Sequence, residues 1–274
     1  MSPIGSVETV LGMIQKSKQN AAAFCTNFFP VQSKLQTWID HGELEGEADA
    51  ACAIFLKKDH DFKRLYFCAG DLRSLGMKIS EKAPWPMQPM TVDLVGNESG
   101  LGPMLDLFHA AGFQTHTRLQ RLSRRGKTES EPDPRQDANI SFATGDDCQG
   151  IGELLEKSFN RYGEQIPEIS EIQSAIASRQ ILIARLKNEI AGLLFFETQG
   201  FASTVRFWVV GEKFRAFRLG SSLMRKYFAL QNKVQRFTLW VQTDNQSAIE
   251  KYRHYDYSPD GLLDYVLANR LICS

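Results

Sequence analysis

Phe207 to Leu223 reads FWVVGEKFRAFRLGSSL, and the fold of the chain turns on it. A strand ends at Val210, a short loop follows, and helical spacing begins near Arg218 with Leu219, Leu223, Tyr227 and Leu230. Lys213, Arg215 and Arg218 crowd the N-terminal end of that helix. The helix macrodipole is already positive there, so each cation costs about 0.3–1 kcal/mol unless an anion is bound. Unpaired N–H groups at a helix start form a ready anion site. Gly220, Ser221 and Ser222 are small enough to let a phosphate reach the backbone. The pattern fits a phosphorylated ligand, while a motif this short also fits a solvated surface loop.

Outward from this stretch the periodicity switches repeatedly. Upstream lie a short strand at 140–143, helices around 151–159 and 168–178, and apolar runs at 181–186, 191–197 and 205–210. Lys187-Asn188-Glu189 separates the first two runs as a hairpin turn. Downstream come a strand at 237–242, a helix from Asn245 to Arg253 and a closing strand at 262–267. The order β-α-α-β-β-β-α-β-α-β implies an α/β (α+β) fold, a mixed twisted sheet flanked by helices. The last helix begins Asn245-Gln246-Ser247-Ala248-Ile249-Glu250-Lys251-Tyr252 and leads to Tyr255-Asp256-Tyr257.

With both stretches in place, the region from Ile140 to Leu271 resembles the GNAT superfamily of N-acetyltransferases. Arg215, Arg218 and Gly220 fall on that family's (Q/R)xxGx(G/A) loop, and Trp208, Val209 and Val210 on its LxV-like strand end. Asn245, Ala248 and Tyr252 match the later NxxAxxxY pattern. Arg218 stands where the family has its first glycine, and Asp256-Tyr257 where Gly-Phe is frequent. The resemblance implies that acetyl-CoA is the co-substrate, with no metal. It places the pyrophosphate on the N–H groups of Arg215, Ala216, Phe217, Arg218, Leu219, Gly220 and Ser221, and pantetheine along the edge of Trp208, Val209 and Val210. It makes Tyr252 the acid that protonates the departing thiolate; the alternative for Tyr252 is a packed helix aromatic. Glu197 is a candidate base for the acceptor amine or a solvated strand end. Tyr162 and Glu164 fall between the first two helices, where the family lines its acceptor site, or are ordinary loop residues.

The N-terminal half carries a blurred copy of the same order. Strands are expected at 50–56, 64–67, 90–95 and 115–122, with helices near 71–75 and at 101–111. Phe108 lies 144 residues before Tyr252, and Gly112-Phe113 lies 144 before Asp256-Tyr257. This spacing suggests a diverged duplication, a tandem arrangement whose first half has Phe108 in place of a proton donor. Ser123 to Ala138, SRRGKTESEPDPRQDA, has no large apolar residue and reads as a linker. The expected division is a degenerate GNAT-like domain at 1–125, a linker at 126–138 and an acetyltransferase domain at 139–274.

Composition bounds the rest. Hydrophobic residues make up 43% and charged residues 23% of the 274, with a formal net charge of zero. That is globular composition for two domains, with no field favouring nucleic acid or a membrane surface. Five cysteines without CxxC pairing read as reduced thiols, pointing to a cytoplasmic protein. The leading expectation is an acyltransferase, an N-acetyltransferase acting on a small-molecule, peptide or protein amine. A non-catalytic acetyl-CoA sensor is the alternative, and a longer acyl donor a third.

Overall fold

The computed structural model describes residues 1–19, 21–82, 85, 88–126 and 140–269. They form two compact units, one of Met1–Leu119 together with the segment from Gly261 onward, the other of Gln120–Asp260. The first unit runs β1 (Ser2–Pro3), α1 (Val7–Gln19), β2 (Cys25–Thr26), α2 (Gln32–Asp40), β3 (Leu44–Ala48), β4 (Cys52–Asp59), β5 (Phe62–Ala69), α3 (Leu72–Lys82), β6 (Met90–Gly96), α4 (Glu98–Ala110) and the start of β7 (Gln114–Arg125). The second continues through β8 (Ile140–Phe142), α5 (Cys148–Ser158), α6 (Ile169–Ala177), β9 (Ile181–Leu186), β10 (Glu189–Gln199), β11 (Ala202–Val210), α7 (Leu219–Leu230), β12 (Arg236–Gln242), α8 (Gln246–Arg253) and the start of β13 (Ser258–Ala268). Strand order is β1-β3-β4-β5-β6-β13 in the first unit and β7-β12-β11-β10-β9-β8 in the second. Among the described residues no helix is long and apolar enough to cross a membrane.

The strands read as unbroken apolar runs because helices bury both faces of each sheet. In the second unit Leu182, Ala184, Leu194 and Phe196 pack with Leu223 and Tyr227 of α7. The alternate residues Ile181, Ile183, Leu193 and Phe195 pack with Ile151 and Leu155 of α5 and Ile172 of α6. The first unit repeats the plan: Ile54 and Leu56 meet α3 and α4, while Ala53 and Phe55 meet Val10 of α1 and Leu35 of α2. The β9–β10 hairpin turns at Lys187 and Asn188, both left-handed with φ of 50° and 65°, as a two-residue turn matching strand twist requires.

Three sequence readings change. The closing strand expected to complete the C-terminal half instead pairs with β6 of the first unit, Leu263 opposite Gly96 through Ala268 opposite Thr91. Helices α1 and α2 had no counterpart in the sequence reading, because their apolar stripes are narrow and their other faces polar. The polar stretch read from Ser123 begins inside a strand, since β7 includes Ser123 to Arg125; residues 127–138 lie outside the described residues. The spacing of 144 residues, by contrast, has a physical counterpart. Phe113 N–H donates to Phe108 O (3.0 Å), and Tyr257 N–H donates to Tyr252 O (3.2 Å). Gly112 and Asp256 before them are left-handed, φ 87° and 64°. Both helices thus end in the same Schellman-type turn.

Candidate functional site

The site starts from a parting of strands. β11 pairs in parallel with β12 only from Ala202 to Val205, opposite Arg236 to Leu239. Beyond that point β11 follows β10 alone to Val210, while β12 runs on to Gln242. The parting begins at a β-bulge. Phe195 opposes Phe207 and Phe196 opposes Val205, leaving Arg206 as the extra residue. A bulge bends its strand and adds local twist, so β11 leaves β12 at an angle and a wedge opens between them. Gly211 N–H donates to Ala191 O (2.9 Å) across β10. Alternation along the ladder then turns the main-chain groups of Val209 toward β10, and those of Trp208 and Val210 toward the wedge. An extended ligand can pair there as an added strand.

The wedge leads to a helix start. A 3-10 turn, Glu212–Phe217, carries Arg215, Ala216 and Phe217, and α7 follows at Leu219. Between them Arg218 adopts the left-handed conformation, φ 56° and ψ 20°. The first-turn N–H groups of Leu219 and Gly220 precede any intrahelical acceptor, whereas Ser221 N–H reaches Arg218 O (3.1 Å). Arg215 and Arg218 are exposed at this end. Lys213, expected among the cations of the site, is drawn to the carboxylate of Glu189. Gly220 has a packing role as well. A Cβ there would lie 3.3 Å from the Trp208 ring, so the missing side chain makes room for the indole. The indole Nε1–H in turn donates to Gly220 O (3.2 Å).

Trp208 ties the loop to α8. Its ring lies 5.6 Å from that of Tyr252 and 5.8 Å from that of Tyr255. Asn245 caps α8, accepting from Ala248 N–H (3.1 Å). That bond explains an asparagine three residues before an alanine, and it occupies the side-chain oxygen. Burial pushes the Tyr252 hydroxyl above the ordinary tyrosine range, and the carboxylate of Glu164 adds to the shift. The acid candidate therefore keeps its proton at neutral pH.

The two carboxylates expected here have different surroundings. Glu164 sits on the α5–α6 connection, shaped by Asn160, whose Oδ1 accepts from the N–H groups of Tyr162 (2.9 Å) and Gly163 (3.2 Å). Burial raises its pKa, opposed by the Asn160 N–H bond to Oε2 (3.0 Å). Glu197 on β10 is held by Arg206 (2.7 Å), which also donates to Gln165 O (3.1 Å). Arg206 and Asn160 were not anticipated from sequence. A bulge is a property of a strand pair, and no signal within one strand reveals it.

Residues 148–257 match the family model described as acetyltransferase (GNAT) family. No curated protein matches the chain. Among solved structures the chain is similar to a GCN5-related N-acetyltransferase from Sphaerobacter thermophilus, at 16% identity and TM-score 0.59, over 81% of this chain and 77% of that one. A tandem GNAT protein from the clavulanic acid biosynthesis pathway matches over 97% of both chains, at 11% identity and TM-score 0.64. A GCN5-related N-acetyltransferase from Kribbella flavida matches 97% of this chain and 69% of its own, at 8% identity and TM-score 0.56. At such identities the likeness is one of fold, and it extends across the N-terminal half. Residues 148–257 thus carry the match to the GNAT acetyltransferase family, and the chain as a whole shares its fold with a tandem GNAT protein.

Proposed function

We propose that the second unit transfers an acetyl group from acetyl-CoA to the amine of a small molecule, peptide or protein. The observation that carries this reading is the wedge at Trp208 and Val210 leading to a cationic helix start at Arg215 and Arg218, with half-buried Tyr252 against Trp208. The donor supplies an activated acyl thioester. The loop from Arg215 into α7 holds its diphosphate with the open N–H groups of Leu219 and Gly220 and the guanidinium charges of Arg215 and Arg218. The wedge-facing edge of Trp208 and Val210 orients the pantetheine amides, and an N–H on that edge polarises the acyl carbonyl. As the amine nitrogen bonds to the acyl carbon and the carbon–sulfur bond breaks, the Tyr252 hydroxyl gives its proton to the sulfur.

The proton released by the amine needs an acceptor. Glu164 is the better placed of the two carboxylates. Its charge acts on the Tyr252 hydroxyl, and its raised pKa makes it a stronger base than an ordinary glutamate. Glu197 is ion-paired with Arg206, which stabilises its charged form and opposes proton uptake.

The test is turnover. Acetyl-CoA with a panel of amines should release free thiol and yield products carrying an added acetyl mass. Tyr252→Phe should lower the rate about 10²–10⁴-fold with donor affinity retained. An unchanged rate removes Tyr252 from the mechanism. Donor binding with no thiol release across the panel makes the domain a sensor, and release only with longer acyl donors moves the donor class.

A further inference from the structure

We propose that the first unit contains a second donor cleft permanently filled by the chain itself, with Asn27 standing where a pantetheine amide would lie. This rests on the reading of the wedge in the second unit as a donor site. The first unit has the same parting of strands. β5 pairs in parallel with β6 only at Lys63–Met90 and Arg64–Thr91, after which β5 continues to Ala69 and β6 to Gly96. Here the gap is occupied. The side chain of Asn27 donates from Nδ2 to Leu65 O (3.0 Å) on β5 and to Asp93 O (3.1 Å) on β6, and its Oδ1 accepts from Phe67 N–H (2.8 Å). One carboxamide thus satisfies an N–H and a C=O two residues apart on the open edge, as the amide of an added strand does.

The neighbouring residues extend the occupation. β2 lies antiparallel on the same edge, Cys25 opposite Ala69 and Thr26 opposite Cys68. Thr26 Oγ1 donates to Phe67 O (2.6 Å). Phe28 anchors the segment in the core, 4% exposed, with its ring 4.8 Å from Phe55 and 4.9 Å from Tyr66. In chain order this segment is the α1–α2 connection, the counterpart of the α5–α6 connection that carries Tyr162 and Glu164.

The other two parts of a donor site are answered in kind. Asp71 stands one residue before α3, as Arg218 stands before α7, and its carboxylate accepts from Ser74 N–H (2.7 Å). The helix start therefore already carries its own anion, which repels a phosphate. Phe108, at the position of Tyr252, is fully buried with its ring 5.5 Å from Phe113 and has no proton to give. Amide, anion and aromatic ring are each supplied by the chain. The first unit is thereby closed to acyl-CoA by occupation, beyond the mere loss of a motif.

Hydrogen exchange at the Phe67 amide tests the proposal on the full chain, with wild type, Asn27→Ala and Arg218→Gly, each with and without CoA. Arg218→Gly removes a cation from the second unit's loop, so a remaining response in β5 reports on the first unit. Phe67 should exchange slowly in wild type and be unmoved by CoA, and Asn27→Ala should speed it by at least about 10-fold. A Phe67 amide that is unprotected in wild type, or whose exchange CoA alters in the Arg218→Gly protein, overturns the proposal. The wild-type and Arg218→Gly comparisons decide the matter even where Asn27→Ala does not fold. CoA affinity unchanged by Arg218→Gly, with Phe67 unmoved, would instead sink the diphosphate assignment in the second unit and leave the filled cleft standing.

Discussion

Arg218 occupies a backbone position made for glycine. Its φ of 56° is left-handed, which costs an L-residue about 1–2 kcal/mol, yet the side chain brings a cation to the helix start. Arg218→Gly should separate the two effects. Relief of strain, less the roughly 0.5–1 kcal/mol entropic cost of glycine, should leave stability equal or slightly higher. CoA affinity should fall about 10–100-fold with loss of a charge-assisted contact. Calorimetry and thermal melts of one sample read both, and undiminished affinity would free Arg218 of any binding role. Glu164 gives a second residue-scale expectation, in pH. Its folded pKa is raised, so the folded state holds the proton more tightly than the unfolded chain. The stabilising effect of protonation is present below the unfolded value and lost as pH rises through the folded one. For the rate, a base works when ionised, so the acid limb of kcat/KM should lie above the ordinary glutamate value. Glu164→Gln should abolish that limb, whereas Glu197→Gln should keep it. Because Tyr252 is raised above 10, no alkaline decline from its ionisation should appear below about pH 10.

At the scale of elements, the wedge depends on where β10 lets β11 lie. Gly192 opposes Val210, and a Cβ there would meet Val209 O at 2.8 Å and Val210 Cγ2 at 3.1 Å. Backbone cannot yield as a flexible side chain does, so Gly192→Ala must push β11 outward. The expected loss is about 1–3 kcal/mol of stability, together with weaker donor binding because the displaced strand carries the ligand-facing edge. Gly102→Ala is the matched control. Its Cβ meets nothing within 4 Å and sits inside α4, where alanine is favoured by about 1 kcal/mol. Melting curves and CoA titrations of the pair check this, and equal behaviour of the two variants would mean that the β10–β11 spacing does not set the site.

At the scale of the molecule, one donor per chain is expected. Titration of the intact protein with acetyl-CoA should saturate at one equivalent, and a second site of similar affinity would contradict the filled cleft. The C-terminal strand cannot be trimmed freely. The first unit takes its edge strand from β13, with Leu267 fully buried against its core. Ending the chain at Asp260 should unprotect the β6 amides in hydrogen exchange and lower the melting temperature of the first unit. Retained β6 protection would show that β13 is dispensable.

The local signals were legible because each rests on near neighbours in sequence. Apolar runs at 181–186 and 191–197, the helical spacing of Leu219, Leu223 and Tyr227, and the helix start at Asn245 all depend on residues a few positions apart. The order of elements, the GNAT resemblance and the correspondence of Phe108 with Tyr252 followed from them. Tertiary structure decided what depends on pairs of distant segments. The bulge at Arg206 exists only in the register of β10 against β11, and the unit that β13 completes is set by its pairing with β6. That Gly220 also makes room for Trp208, twelve residues upstream, appears only once the two are packed together. Asn27 carries no motif at all; its three bonds reach residues 38 to 66 positions away, a distance at which local sequence holds no record of the contact.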